Sequence, residues 1–592
     1  MQIISRRTAL MSGAAIAALA ACGEKPAAPA ANVDDTFKAL GTKWLDGYIK
    51  TRPVSATAMG DHRFDSEIDD ISDTGRAAKI ALITETREAL AAIDRTKLSR
   101  DNQVDAAMLT DQLDGEEFTM NELQSYAWDP LTHNDVAGGA LYSLVAREFA
   151  PLPERLLHAA ARMEKLPALL AQSRKELNPE RVPLIHATTY KGQNAGNIST
   201  IDEMILSQVG ALGPSDQTRL KAAADTAKAA ILEHQKWIEG TLIPGAKGNF
   251  RVEALYDKKL RFSTDWTGTK EDLLSKAKVD LDRVTTEMYE IALSQLGAAA
   301  KKYPAKPTPA QRREAVAAAI DIAARQAPPP EKLFDSAKAT LEDATNFARE
   351  KQLLTLPDAP VKVIEMPKFQ QGVSVAYCDS PGPLDRGLDT FYAISPIPKD
   401  WTKQQITSFL REYNSRSINE LTIHEAMPGH YVQIWHSNKH PSVIRAVLSS
   451  GSFIEGWAVY AQDVMIAAGH GGNDPLRKLV NLKWALRVIS NTIIDHAIHV
   501  EGMEEKPFMD FLVNETFQEE REAALKWNRA RVSSGQLASY YVGWQEHLAI
   551  RKDWEAKEGA AFNLMKYHDA ALSHGSPPAR FVRQLLFNEP IA

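Results

Sequence analysis

The sequence predicts a mainly α-helical protein carrying a small antiparallel β-sheet, and three observations predict it. Apolar residues recur at helical spacing over most of the chain from about Asp34 onward, for instance Leu156, Ala159, Met163, Leu166 and Leu170. A different texture, with short alternating segments, appears at residues 361–394. The composition is that of a packed globular body: 592 residues, 44% hydrophobic and 24% charged. With 69 Lys+Arg against 76 Asp+Glu the net charge is −7, which opposes a general nucleic-acid binder and a disordered tail protein alike. The two cysteines, Cys22 and Cys378, sit in such different contexts that no structural disulfide is expected between them.

Residues 1–21 have the layout of a secretory signal peptide: a basic pair at Arg6-Arg7, the apolar run Ala14 to Leu19, and a small-residue cleavage site before Cys22. The run is too short to span a bilayer. Leu19-Ala20-Ala21-Cys22 resembles a bacterial lipobox, which makes Cys22 the candidate lipidation site and implies a periplasm-facing lipoprotein anchored in the membrane. Gly23 follows instead of Asp, which by the same resemblance favours the outer membrane. Ser5-Arg6-Arg7-Thr8 also looks like a twin-arginine export signal, with Ala9 in place of the usual aromatic. Residues 22–33, rich in Ala and Pro, read as a lipidated tether.

Residues 34–330 then read as a helical N-terminal region, with 331–592 as a second region, or the two as one continuous domain from 34 to 592. Stretches 215–239 and 270–297 are amphipathic helices by pattern, Pro167 is a candidate kink, and the Pro-rich breaks at 303–307 and 327–330 mark turns or a seam. Segments 361–365, 373–377 and 389–394 are the three strands. A sheet edge at that position could bind an extended peptide as a further strand. Thr402-Lys403-Gln404-Gln405 matches a capping box and starts the next helix.

Chemistry is concentrated in His424-Glu425-Ala426-Met427-Pro428-Gly429-His430. Two histidines that share a metal normally stand four apart on one helix. Here they stand six apart, and at about 100° per residue an unbroken helix would place them roughly 240° from each other. Pro428 and Gly429 offer the remedy: one cannot donate to the helix ladder and the other accepts unusual dihedrals, so a local bulge is expected to swing His430 back toward His424. Glu455, in Gly451-Ser452-Phe453-Ile454-Glu455-Gly456-Trp457-Ala458, is the candidate third ligand, since zinc hydrolases commonly use three protein ligands. Bland readings stand beside these: Thr422-x-x-Glu425 and Ser452-x-x-Glu455 both match capping boxes. No phosphate-binding loop, dinucleotide fingerprint or nucleophile elbow occurs.

H-E-A-M-P-G-H followed by E-G-W-A resembles the bacterial family called domain of unknown function 885, whose motif is similar to that of gluzincin metallopeptidases and to the one-residue-shorter H-E-x-x-G-H of dipeptidyl peptidase three. The resemblance implies a zincin/gluzincin-like, cleft-bearing body with the sheet beside the active site, Zn²⁺ held by His424, His430 and Glu455, and Glu425 as general base. It also covers Asp495-His496-Ala497-Ile498-His499, where Ala497 stands for an expected Gly, and Ser534-Gly535-Gln536-Leu537-Ala538-Ser539-Tyr540, where Ser534 replaces Pro. In that reading His499 or Tyr540 stabilises the oxyanion; the alternatives are a helix-surface ion pair with Asp495 and ordinary aromatic packing.

The function implied is zinc-dependent peptidase action on a peptide substrate in the bacterial envelope. Two alternatives remain open at this stage: a non-enzymatic lipoprotein that binds peptide or solute, and a metallohydrolase of non-peptide amides or esters.

Overall fold

The computed structural model describes residues 32–371 and 374–591. The signal peptide, Cys22 and most of the tether lie outside these residues. No helix among the described residues is long and apolar enough to cross a membrane.

Helices dominate, and the expected ones form where the apolar spacing puts them. Leu152–Glu176 buries Leu156, Ala159, Met163, Leu166 and Leu170 and continues through Pro167. Pro214–Trp237 and Lys270–Gln295 fill the two long amphipathic stretches. The Pro-rich segment at 303–307 is the turn before Pro309–Ala324, and the one at 327–330 leads into a short 3₁₀ turn.

The largest apolar core runs from Tyr256 to Val582, so segments on both sides of residue 330 contribute to it. Of the further cores in the N-terminal half, one is built on Leu141, Leu156, Met163 and Ile231 and another on Phe37, Trp44, Leu109 and Leu113. The latter also takes in Ile444, Leu448 and Phe581 from the C-terminal half. Beside it, fully buried Arg445 reaches across to Asp105 at 2.8 Å and to the Asp101 carbonyl at 2.8 Å.

Three short strands form the sheet: β1 (Lys362–Glu365), β2 (Ala376–Asp379) and β3 (Phe391–Ile394), in the order β1-β3-β2. The expectation of an antiparallel sheet holds for β2 with β3 only; β1 pairs with β3 in parallel. The chain leaves β1, passes across the place later taken by β3, and returns through β2, so the last strand inserts between the first two. Alternation identifies strands but carries no information on this order. Both edges are short, and Arg147 donates to the Asp379 carbonyl at the end of β2, which closes part of that edge.

Seven helices frame the site. α1 (Lys403–Glu412) starts at the capping box of Thr402 and Gln405. α2 (Ser415–Glu425) lies against β2, with the Tyr392 hydroxyl 3.4 Å from that of Thr422. α3 (His430–Ser437), α4 (Gly451–Ala467), α5 (Pro475–His499), α6 (Glu520–Val532) and α7 (Ser539–Glu558) follow. α4 and α7 form the most intimate pair: a Cβ placed on Gly456 would lie 2.1 Å from the Gly543 carbonyl carbon, and one on Gly543 would lie 1.7 Å from the Ser452 carbonyl oxygen. Only glycine at both positions lets the two backbones touch.

Candidate metal centre

The chain through the H-E-x-x-x-G-H motif is more than bulged. α2 ends at Glu425, residues 426–429 are non-helical, and α3 begins at His430. Pro428 and Gly429 sit in this break, as their chemistry demands. The Gly429 N–H donates to the Ile423 carbonyl at 2.9 Å, and a Cβ there would lie 2.0 Å from the His424 carbonyl oxygen. The indole of Trp457, from the E-G-W-A segment, donates to the Pro428 carbonyl at 3.0 Å. One hydrogen bond thus ties the break to the helix that carries Glu455.

The result is convergence. The rings of His424 and His430 lie 4.7 Å apart, edge to face, and both imidazoles are buried. Glu455 Oε2 is 3.4 Å from His424 Nε2 and 3.3 Å from His430 Nε2, and the three donor atoms lie within 4.8 Å of one another. Two zinc ligands at bond lengths of about 2.0–2.2 Å and a tetrahedral angle stand roughly 3.3–3.5 Å apart. Both edges that meet at Glu455 have that length.

The electrostatics point the same way. Glu455 Oε2 is buried without a hydrogen-bond partner among the described residues, as are Nδ1 of His424 and of His430. Burial opposes ionisation of Glu455, yet the two imidazoles hold its carboxyl well below the usual range. Burial likewise opposes charge on His430, and Glu455 with Glu425 overcomes it and raises the imidazole. An orphaned carboxylate oxygen faced by two imidazole nitrogens, all at ligand spacing, fits a divalent cation of the zinc type.

Both capping-box readings fail. The N-cap of α4 is Ser450, whose hydroxyl accepts from the Phe453 N–H, while the Ser452 hydroxyl donates to the Thr264 carbonyl. Thr422 lies inside α2, whose N-cap is Asn414.

His424 and Glu425 open onto a cavity of about 370 Å³, together with Trp484, Asn491, Lys526, Arg529 and Tyr540. Tyr540 stacks near His424, the ring centres 6.2 Å apart. Arg529 donates to the Tyr540 oxygen at 3.2 Å, which leaves the phenol's own O–H free to donate. Burial and the Glu455 charge raise the phenol above its ordinary range, so it keeps that proton.

His499 is placed differently. It is absent from the cavity wall, and its Nε2 lies 3.0 and 2.9 Å from the carbonyls of Ala530 and Ser533. The expected oxyanion contact therefore gives way to a positioning role at the C-terminal end of α6. Neither is it a surface ion pair, for His499 and Asp495 are both buried. Asp495 accepts from Tyr256 at 2.7 Å and from the Gly535 N–H at 2.9 Å. Asp495 and His499 together pin the 530–535 turn, and the turn sets where Arg529 and Tyr540 emerge. Gly535 adopts φ +73°, a left-handed conformation that suits glycine. Tyr541, the neighbouring aromatic, donates to Asp280 at 2.7 Å. Cys378 lies in β2 with its thiol pushed up to about 12 by burial, unsuited to act as a nucleophile.

Sequence reading missed Arg529 and Lys526, which carry no motif, and the paired glycines 456 and 543. The close Gly456 to Gly543 approach leaves no trace in local spacing.

The model of the family described as "Bacterial protein of unknown function (DUF885)" matches residues 53–586. The chain belongs to this family. A solved structure of a protein of unknown function from Shewanella oneidensis, designated a lipoprotein, is 32% identical; it superposes with a TM-score of 0.77 and covers 93% of this chain and 99% of its own. Another, designated a lipoprotein from Colwellia psychrerythraea, is 17% identical, has a TM-score of 0.76, covers 94% of this chain and 99% of its own, and shares the fold. No curated protein matches the chain.

Two outcomes follow from the positioning contacts. Gly456→Ala should force α4 and α7 apart, destabilise the fold by about 1–3 kcal/mol, and displace Glu455; thermal unfolding and zinc titration should then show a lower melting temperature and a metal affinity weaker by about tenfold or more. His499→Ala should leave zinc affinity in the same titration unchanged but loosen the turn, seen as faster amide exchange over residues 530–538.

Proposed function

We propose that this protein is a zinc-dependent peptidase of the bacterial envelope, with a gluzincin-like site. The observation that carries the reading is the meeting of His424, His430 and Glu455 at ligand spacing, with Glu425 beside them on the cavity wall. When bound, zinc would supply Lewis-acid polarisation of a water and of the scissile carbonyl. The chain's own groups do the rest. Glu425 takes the proton of the attacking water and passes it to the leaving amine. Tyr540, its oxygen held by Arg529, donates to the oxyanion that develops on the carbonyl. Trp401, Phe409 and Trp484 line the cavity and limit water around the substrate.

Lipoprotein designations of the two related structures support an exported chain anchored through Cys22, and Gly23 at the next position leads us to place it at the outer membrane. Neither alternative considered from the sequence has an observation in its favour over peptide hydrolysis.

Purified mature protein should contain about one zinc per chain, and a chelator should abolish hydrolysis of a peptide library. Glu425→Gln should retain the zinc while its kcat falls about 10²–10⁴-fold; Glu455→Ala should lose the zinc. Full activity in the first variant, or normal zinc content in the second, would overturn the assignment. Tyr540→Phe should keep its zinc and its KM while kcat falls about 10²–10³-fold, measured on the same peptides.

A further inference from the structure

The cavity beside the metal-ligand cluster is lined by four cations, Arg487, Arg521, Lys526 and Arg529, against two carboxylates, Glu425 and Glu522. The carboxylates are already accounted for. Glu522 is held by Arg487 and by the Tyr413 hydroxyl, and Glu425 stands next to the ligand histidine. Of the cations not paired with them, Arg521 lies over the Trp401 ring at 4.5 Å, whereas Lys526 and Arg529, one turn apart on the same face of α6, have only neutral hydrogen-bond partners. Lys526 Nζ donates to Asn491 Oδ1 at 2.9 Å, and Arg529 donates to Gln536 Oε1 at 3.3 Å and to the Tyr540 hydroxyl at 3.2 Å. Neither forms an ion pair with a carboxylate among the described residues.

Lys526 is 6% exposed. A buried ammonium without an anion is costly, and burial pushes this one well below the ordinary lysine range. Other buried cations in this fold are satisfied more fully: Lys483 lies 2.8 Å from Glu412, Arg445 lies 2.8 Å from Asp105, and Arg162, which has no ion pair among the described residues, donates to four backbone carbonyls and the Thr57 hydroxyl. Lys526 and Arg529 differ in lining a cavity, where a bound anion can reach both. Resting on the peptidase reading, we propose that Lys526 and Arg529 form a subsite for a carboxylate of the peptide substrate. The anion would supply the missing partner of both side chains and fix the scissile bond against Glu425 and Tyr540. Two sources share this chemistry, the α-carboxylate at the end of a peptide and an acidic side chain near the scissile bond.

The test uses three matched short peptides and the zinc-loaded full chain: one ending in a free carboxylate, one in a neutral amide, and one amidated but with Glu at the terminal position. Either carboxylate-bearing peptide should exceed the neutral amide by about ten- to hundredfold in kcat/KM, and the arm that does so names the source. Lys526→Met and, independently, Arg529→Gln should bring that ratio toward one. Calorimetric titration of zinc-loaded Glu425→Gln with the same peptides reads the preference without turnover. Equal rates and equal affinities for all three peptides would overturn the subsite, as would variants that keep the wild-type ratio. Carboxylate-dependent binding with no hydrolysis of any peptide would keep the subsite and overturn the peptidase reading instead.

Discussion

Where α4 crosses α7, two backbones meet with no side chain between them, and the geometry of the site depends on that contact. Gly456 follows Glu455 directly, and Gly543 lies one turn beyond Tyr540, so the crossing holds a candidate ligand and a cavity phenol at a fixed separation. Hydrogen bonds on the same two helices reinforce it: Trp544 donates to Asp463 at 2.7 Å and His547 Nε2 meets the Phe453 carbonyl at 3.0 Å. Trp457 then carries the constraint to the break between α2 and α3 through Pro428. Rigid elements hold a reacting constellation better than loops do, and here a loop is made rigid by being tied to a helix.

Buried polar groups divide into two kinds. Beneath the site, Glu420 on α2 lies 3.3 Å from Arg477 and accepts from Gln462 at 3.2 Å, a contact that joins α2, α4 and α5. Burial nevertheless raises Glu420 to about 7, against the pull of Arg477. Such a network specifies how helices pack. Around the cavity, Glu455 Oε2 and the two Nδ1 atoms lack hydrogen-bond partners among the described residues, and Lys526 and Arg529 have only neutral ones.

Asp495 and His499 illustrate how a motif can matter without touching chemistry. Their i,i+4 spacing did put both on one buried face, but that face looks at the 530–535 turn. The D-x-x-x-H and G-Q-x-x-S-Y segments are coupled because the first holds the turn from which the second departs. Recognising the residues was easier than assigning their role, since spacing gives a face and not what the face meets.

By itself the sequence determined the local facts: helices from the apolar period, the Thr402 cap, three strands near their final positions, and a break at Pro428-Gly429, because each follows from interactions among residues close in the chain. It also named His424, His430, Glu455, Glu425 and Tyr540 as candidates. Tertiary structure alone decided that β3 enters between β1 and β2, that Ser450 and not Ser452 caps α4, that His499 turns away from the cavity, and that Lys526 and Arg529 face it with only neutral partners. Those outcomes depend on contacts between segments tens to hundreds of residues apart, where packing and charge burial act and no short spacing in the chain records the result.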